Sequence, residues 1–223
     1  MLRSLADGIW EVNHPHKLLR LFPLGHRMTV LRQASGELVL HSPIPLDEAL
    51  REALENLGNV AHVLAPSIMH NLFLTPYDQQ YPDARFWAVP KFASKYPKLR
   101  ADAILDESTQ LTGLRFAQIA GMPKVNECVV LHESSGSLIV ADLVFHFPRS
   151  DSFALRTLLK ANSAYGKVAA SRLFRSFIKD RDAMRASLDR VLDWDFDRLI
   201  VGHGEIVEKD AKASLRAAYS WLS

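Results

Sequence analysis

Short apolar runs separated by turn residues make up the first half of the chain. Residues 9–12, 28–32 and 38–41 read as strands, and Ser35-Gly36 between the last two predicts a tight hairpin. Pro45-Leu46-Asp47 opens a helix over 47–57, where Ala49, Leu50, Ala53, Leu54 and Leu57 recur at helical spacing before Gly58 at the C′ position. Residues 60–65 and 84–89 follow as strands, with 66–74 as a loop or short helix between them. Strand, helix and strand in succession predict a crossover onto one sheet. The stretch 90–123 is rich in Lys, Pro and Asp and carries a short helix at 93–96 and an edge strand at 114–119. Residues 125–132, a turn at 133–137 and residues 138–145 then predict a hairpin of strongly apolar strands. The last third changes period: 152–165, 168–177 and 181–192 repeat as helices, 198–201 as a strand, and 209–222 as a terminal amphipathic helix. With no internal repeat and no long linker, one α/β domain over 1–223 with helices outside the sheets is expected.

Composition adds mainly exclusions. A chain of 223 residues that is 48% hydrophobic and 23% charged, with 10 Gly and 11 Pro, is neither disordered nor collagen-like. The single cysteine, Cys128, excludes an internal disulfide and a Cys-rich metal site. Its place between Glu127 and Val129, mid-strand, suits a buried thiol better than a nucleophile. Lys and Arg number 27 against 25 Asp and Glu, so the formal charge of +2 makes no electrostatic case for nucleic acid. The N-terminus lacks an apolar secretory stretch, and no window approaches the roughly 20 apolar residues of a membrane span. A cytoplasmic protein acting on a small molecule, with no membrane contact, is the expectation; the sequence does not speak to oligomeric state. There is no phosphate-binding loop, dinucleotide fingerprint or nucleophile elbow. Basic and aromatic residues interleave over 172–179 and read as a core face with a solvated basic face, or as a partner-binding helix.

Candidate chemistry comes from polar residues at strand ends. Leu199-Ile200-Val201 runs into Gly202-His203-Gly204, a permissive backbone whose imidazole faces either a cleft or solvent. Asp142 is a lone carboxylate within the apolar stretch 137–145, and a buried charge must be paired, hydrogen-bonded or metal-bound unless it caps the next turn. His70 and Asn71 lie just past the 60–65 strand, and His41 closes the 38–41 strand. A layered α/β fold gathers such termini at one crevice, and three His with one carboxylate suit a zinc or iron ion. The remaining histidines read as less telling: His14 and His16 flank Pro15 in a loop, His26 and His62 look like surface residues, His132 faces solvent before a turn, and His146 belongs to the hairpin.

In this order the residues resemble the metallo-β-lactamase superfamily, and more narrowly a divergent branch of unknown function with an incomplete metal motif. Val140-Ala141-Asp142-Leu143-Val144-Phe145 is similar to the family's strand ending Gly-Asp-x-x-Phe, whose Asp bridges two metals. Ile200-Val201-Gly202-His203-Gly204 is similar to its last histidine in a Gly-His-Gly turn. The resemblance spans most of the chain and implies a four-layer αβ/βα sandwich of two mixed β-sheets flanked by helices. The family's His-x-His-x-Asp-His motif falls on 66–71, where His70 stands in the place of the Asp. Met122, in Ala120-Gly121-Met122-Pro123, replaces a second metal histidine, and the family's Ile-Asp-x-Gly reads Leu40-His41-Ser42-Pro43. The usual dinuclear zinc site is therefore not expected. What the resemblance leaves is a single zinc or iron ion on His70, Asp142 and His203, with His41 as a further ligand, or no ion at all. Two functions follow: a mononuclear metal-dependent hydrolase of an ester, thioester or phosphodiester, with Asp142 and His203 catalytic, or a non-catalytic protein with an eroded metal site that binds a small ligand or a protein partner. In either case Asp142 is expected to be buried and in direct contact with His203.

Overall fold

The computed structural model describes residues 2–222. Seven strands form one sheet, in the spatial order Arg3–Ala6, Ile9–His14, His26–Arg32, Leu38–His41, Val60–Ala65, Arg85–Ala88 and Ala103–Ile104. The first four run antiparallel and the remainder join in parallel. The change of direction needs a crossover, supplied by the helix Glu48–Leu57, which Asp47 caps by accepting from the Leu50 N–H. Leu50 and Leu54 of this helix, Tyr77 of Leu74–Gln80 and Phe92 of Phe92–Lys95 pack into the core of this sheet.

A second sheet has the order Leu114–Gln118, Cys128–His132, Ser137–Val140 and Arg198–Val201, the last pair parallel. Its inner strands alternate between two cores. Cys128, Val130, Ile139 and Ile200 join the core shared with the first sheet. Val129, Leu131, Leu138, Val140, Leu199 and Val201 pack with Met184, Leu188 and Leu215 from the helices Arg181–Leu192 and Ala211–Ala218. Burial on both faces is why residues 128–131, 138–140 and 199–201 are apolar at every position rather than at every second one. The result is the four-layer αβ/βα sandwich that the motif order implied.

The expected helix over 152–165 ends at Ala161, and Leu74–Gln80 adds a helix the sequence reading lacks; three further elements differ near the crevice or the C-terminus. The strand begun at Ser137 stops at Val140, because the N–H groups of Ala141 and Asp142 turn to the Glu127 carboxylate instead of a neighbouring strand. Residues 168–177 are not one helix: Val168–Ala169 pairs antiparallel with Phe145–His146, and a single turn, Arg172–Arg175, follows under a Ser171 cap. The terminal helix is confined to Ala211–Ala218, with a 3-10 turn at Ser220–Leu222.

The two sheets are tied at their shared end by Arg27, buried although charged. Its Nε donates to Glu11 Oε2 at 2.5 Å, its Nη1 to the Val201 carbonyl at 2.5 Å and its Nη2 to the Gly204 carbonyl at 2.8 Å. The Arg27 backbone N–H also reaches the Gly202 carbonyl at 2.9 Å. The strand His26–Arg32 of one sheet thus holds the loop that leaves the last strand of the other. Arg27→Met strands the buried Glu11 with the more exposed Arg3 as its remaining partner. The expected loss is about 3–5 kcal/mol of unfolding free energy in urea titrations. Adding Glu11→Gln should restore part of it, giving a non-additive double-mutant cycle.

Candidate metal centre

Three strand ends meet where the sheets open. Val60–Ala65 leads into a tight turn over 66–71 that presents His70, Ser137–Val140 leads to Asp142, and Arg198–Val201 leads to His203. One donor atom from each of His70, Asp142 and His203 lies within 4.8 Å of the others, and all three residues are buried. His70 Nε2 stands 3.4 Å from Asp142 Oδ2, and His203 Nε2 3.6 Å from Asp142 Oδ1. The expected contact between Asp142 and His203 is present, at a distance longer than an ordinary hydrogen bond. His41, although buried, is not part of this group; its Nε2 has no hydrogen-bond partner.

The donor chemistry fits a cation. His203 Nδ1 lies 2.6 Å from the Gly25 carbonyl oxygen, which can only accept, so Nδ1 carries the proton. That turns Nε2 of His203 toward the Asp142 carboxylate, an arrangement that needs a proton or a metal ion between them. Donor atoms within 4.8 Å of one another are near enough for one ion with ligand bonds of about 2.1 Å to reach all three after small side-chain adjustments. Three protein donors leave one position open, as in catalytic rather than structural zinc sites.

Around the three donors sits a shell that orients them. Ser42, buried and in the left-handed region at φ 60°, places its hydroxyl 2.5 Å from His70 Nδ1 and 2.9 Å from His26 Nε2. With Nε2 of His70 left as the ligand atom, Nδ1–H donates to Ser42, whose own proton goes to His26. The Ser67 hydroxyl donates to Asp142 Oδ2 at 3.0 Å while accepting from the Met69 N–H. Glu127 accepts from the N–H groups of Ala141 and Asp142, each at 2.7 Å, and so fixes the backbone that carries the carboxylate. Gly202 and Gly204 are sterically required: a Cβ would come 2.5 Å from the Ala141 oxygen at the first and 2.0 Å from the His146 oxygen at the second. The Gly-His-Gly turn lies flat against 141–146, which aims His203 at Asp142.

Several of these residues escaped the sequence. His26, expected at the surface, is buried, with its ring centroid 4.7 Å from that of His70. The apolar run 28–31 extends back through it, and Gly25 before it marks the bend. His132, also expected in solvent, is buried and bonded through Nδ1 to Ser135. His62 is half-buried, its Nδ1 facing the Trp87 indole N–H. Glu127 and Ser67 border apolar runs and carry no motif.

Electrostatics follow from burial. Burial pushes the Asp142 carboxyl up, but the imidazoles of His70 and His203 outweigh it and hold Asp142 well below the usual carboxylate range. Burial and the Asp142 charge push Glu127 up to about 8, against the pull of the backbone N–H groups it accepts. Burial lowers His26 to about 2, and the neighbouring imidazoles of His70 and His203 add to that. Burial, with His70 adding, lowers His41 to about 3.

Comparison with known proteins places this geometry. A family model described as a domain of unknown function (DUF4336) matches residues 6–98, which hold most of the seven-stranded sheet together with His41 and His70. No curated protein matches the chain. Among solved structures, the DIM-1 metallo-β-lactamase exposed to ceftazidime aligns over 100% of this chain and 95% of its own, with a TM-score of 0.70 at 16% identity. A metallo-β-lactamase from Pontibacter korlensis aligns over 100% and 98%, with a TM-score of 0.68 at 12% identity. The metallo-β-lactamase FIM-1 from Pseudomonas aeruginosa, in a mono-zinc form, aligns over 99% and 95%, with a TM-score of 0.69 at 12% identity. The chain has the metallo-β-lactamase fold from end to end, and the resemblance read from its motifs holds at that level. Among the described residues no helix is long and apolar enough to cross a membrane.

The buried histidines give a pH test. Between its ordinary 6.5 and its native value of about 3, His41 takes up a proton in the unfolded chain but not in the folded one. Stability therefore falls as pH falls through this window, by about 1.4 kcal/mol per pH unit for each such group. His26 has the same sign. In urea titrations from pH 7 to pH 4, His41→Leu is expected to have a slope shallower by that amount, and at pH 7 to be no less stable than the parent, since it removes an unpartnered buried nitrogen.

Proposed function

We propose that this chain is a mononuclear metal-dependent hydrolase that holds one zinc or iron ion on His70, Asp142 and His203 and cleaves an ester, thioester or phosphodiester of a small molecule. The observation that supports it is the convergence of three buried donors in which His203, committed through Nδ1 to Gly25, turns Nε2 toward a carboxylate. An ion of this kind supplies Lewis-acid polarisation of the substrate oxygen and acidifies a water toward neutrality. The chain's own residues do the rest. Ser42 and Gly25 keep the two imidazoles turned so that Nε2 faces the crevice. Asp142, held ionised, would hold the ion through its carboxylate and orient the attacking water beside it, while the Ser67 hydroxyl fixes Oδ2. Glu127 and the two glycines keep these groups from drifting. FIM-1, described in a mono-zinc form, has the same fold with one ion.

Protein purified without chelator is expected to carry close to one transition-metal ion per chain by elemental analysis, and Asp142→Ala close to none. Zinc at a hundred times its dissociation constant should raise the unfolding free energy of stripped wild type by about 2.7 kcal/mol and leave Asp142→Ala unmoved. Metal-free wild type that zinc fails to stabilise would leave the eroded, non-catalytic site as the better description.

A further inference from the structure

The three donors form one end of a cavity of about 330 Å³, within the roughly 300–1,000 Å³ of small-molecule sites. The rest of its lining is mostly hydrocarbon. Phe145 stacks on His203 with ring centroids 5.7 Å apart, and Phe174 meets Phe145 edge-on at 4.9 Å. An apolar wall therefore begins at a ligand-bearing imidazole. At the mouth stand Leu18, Met69, Leu72 and Leu173, with Leu72 and Leu173 exposed to 59% and 53%. Leu19 and Leu21, also exposed, occupy the hairpin that carries Leu18. Exposed large apolar side chains are thus concentrated around this opening, which is where a soluble surface keeps them when a ligand covers them.

Charge points the same way. Among the described residues no Lys or Arg lines the cavity. Arg175, beside Phe174, lies over the Trp221 ring at 4.4 Å, and Arg172 donates to the Ala161 carbonyl. Lys124 sits over the Phe177 ring at 5.3 Å without joining the lining. Phosphate esters are ordinarily held by Arg or Lys; the lining offers in their place only the imidazoles of His16, His26, His70 and His203, and burial lowers the proton affinity of the first two.

We infer that the site takes neutral, apolar carboxylic esters or thioesters, with the acyl or aromatic group seated against Phe145 and Phe174; this rests on the hydrolase reading above. In the reaction, water oxygen bonds to the carbonyl carbon and the C–O or C–S bond breaks. One water proton passes to the departing alcohol or thiol, and the other leaves as the new carboxylic acid ionises.

Two measurements test the inference separately from the metal chemistry. With chelator-stripped protein, the neutral fluorescent probe N-phenyl-1-naphthylamine is expected to bind one per chain and to be displaced by ethyl octanoate but not by phenyl phosphate. Leu72→Asp with Leu173→Asp, both at exposed positions, should weaken probe binding at least tenfold while leaving the far-UV spectrum unchanged. With zinc-loaded protein, kcat/KM should climb roughly two- to fourfold per methylene from p-nitrophenyl acetate toward the octanoate and exceed that for bis(p-nitrophenyl) phosphate. A flat chain-length series, or preference for the phosphodiester, overturns the substrate class and leaves the hydrolase standing. Probe binding without hydrolysis of any of these compounds overturns both. A dimer in light scattering that the double variant converts to a monomer, with probe binding unchanged, would make the patch an interface between copies and overturn the inference.

Discussion

Everything around the crevice answers to one demand, a carboxylate at 4% accessibility in a site between two hydrocarbon cores. An ion in that position costs several kcal/mol unless it is met on every side. Asp142 is met by the Ser67 hydroxyl on one oxygen and by two imidazoles, while its backbone N–H is spent on Glu127. Each of these partners is itself fixed: His203 by the Gly25 carbonyl, His70 by Ser42, and the Gly-His-Gly turn by the Arg27 contacts to Val201 and Gly204. Removing any of them loosens the next, so the site is better understood as a nested set of hydrogen bonds than as three ligands.

Set against the metallo-β-lactamase pattern that the motifs resemble, two positions of this chain serve packing. Met122 is a buried apolar residue where a histidine would stand. His41 lies within the sheet, beyond reach of the three donors, and its low proton affinity is that of a core side chain. What survives is one corner of the metal motif with its supporting residues rebuilt. The bridge His26–Ser42–His70 occupies the end of the strand that the family closes with Ile-Asp-x-Gly.

The legible parts of this arrangement were those in which polarity breaks a pattern. Strands buried on both faces read as continuous apolar runs, so Asp142 and the glycine-flanked His203 stood out against them. The strand ends at His41, Ala65 and Val201 and the helix cap at Asp47 were visible for the same reason. Arg27, Glu127, Ser67 and Ser42 were not, because what they do depends on atoms far away in sequence or on backbone groups that carry no residue identity. Glu127, for example, serves two amide N–H groups, and any residue could supply those. His26 reads as a surface residue because its charged neighbour, Arg27, makes a buried pair look like a surface dipeptide. The 168–177 stretch reads as a helix because a two-residue bridge and one capped turn put their apolar residues at helical spacing.

The parallel pairing of Ser137–Val140 with Arg198–Val201 has a consequence for how the site comes into being. Those strands are separated by a long excursion through several helices, and the first sheet contributes His70 from further back still. Contacts of such separation close long loops, and folds rich in them fold slowly. A chain emerging from its N-terminus can assemble most of its first sheet well before the strand that brings His203 exists. Until that strand docks, Asp142 has neither its second imidazole nor the Gly-His-Gly turn lying over its backbone. His203 is the last of the three donors in chain order, so an ion held on all three would join the beginning of the fold to a strand from its final quarter.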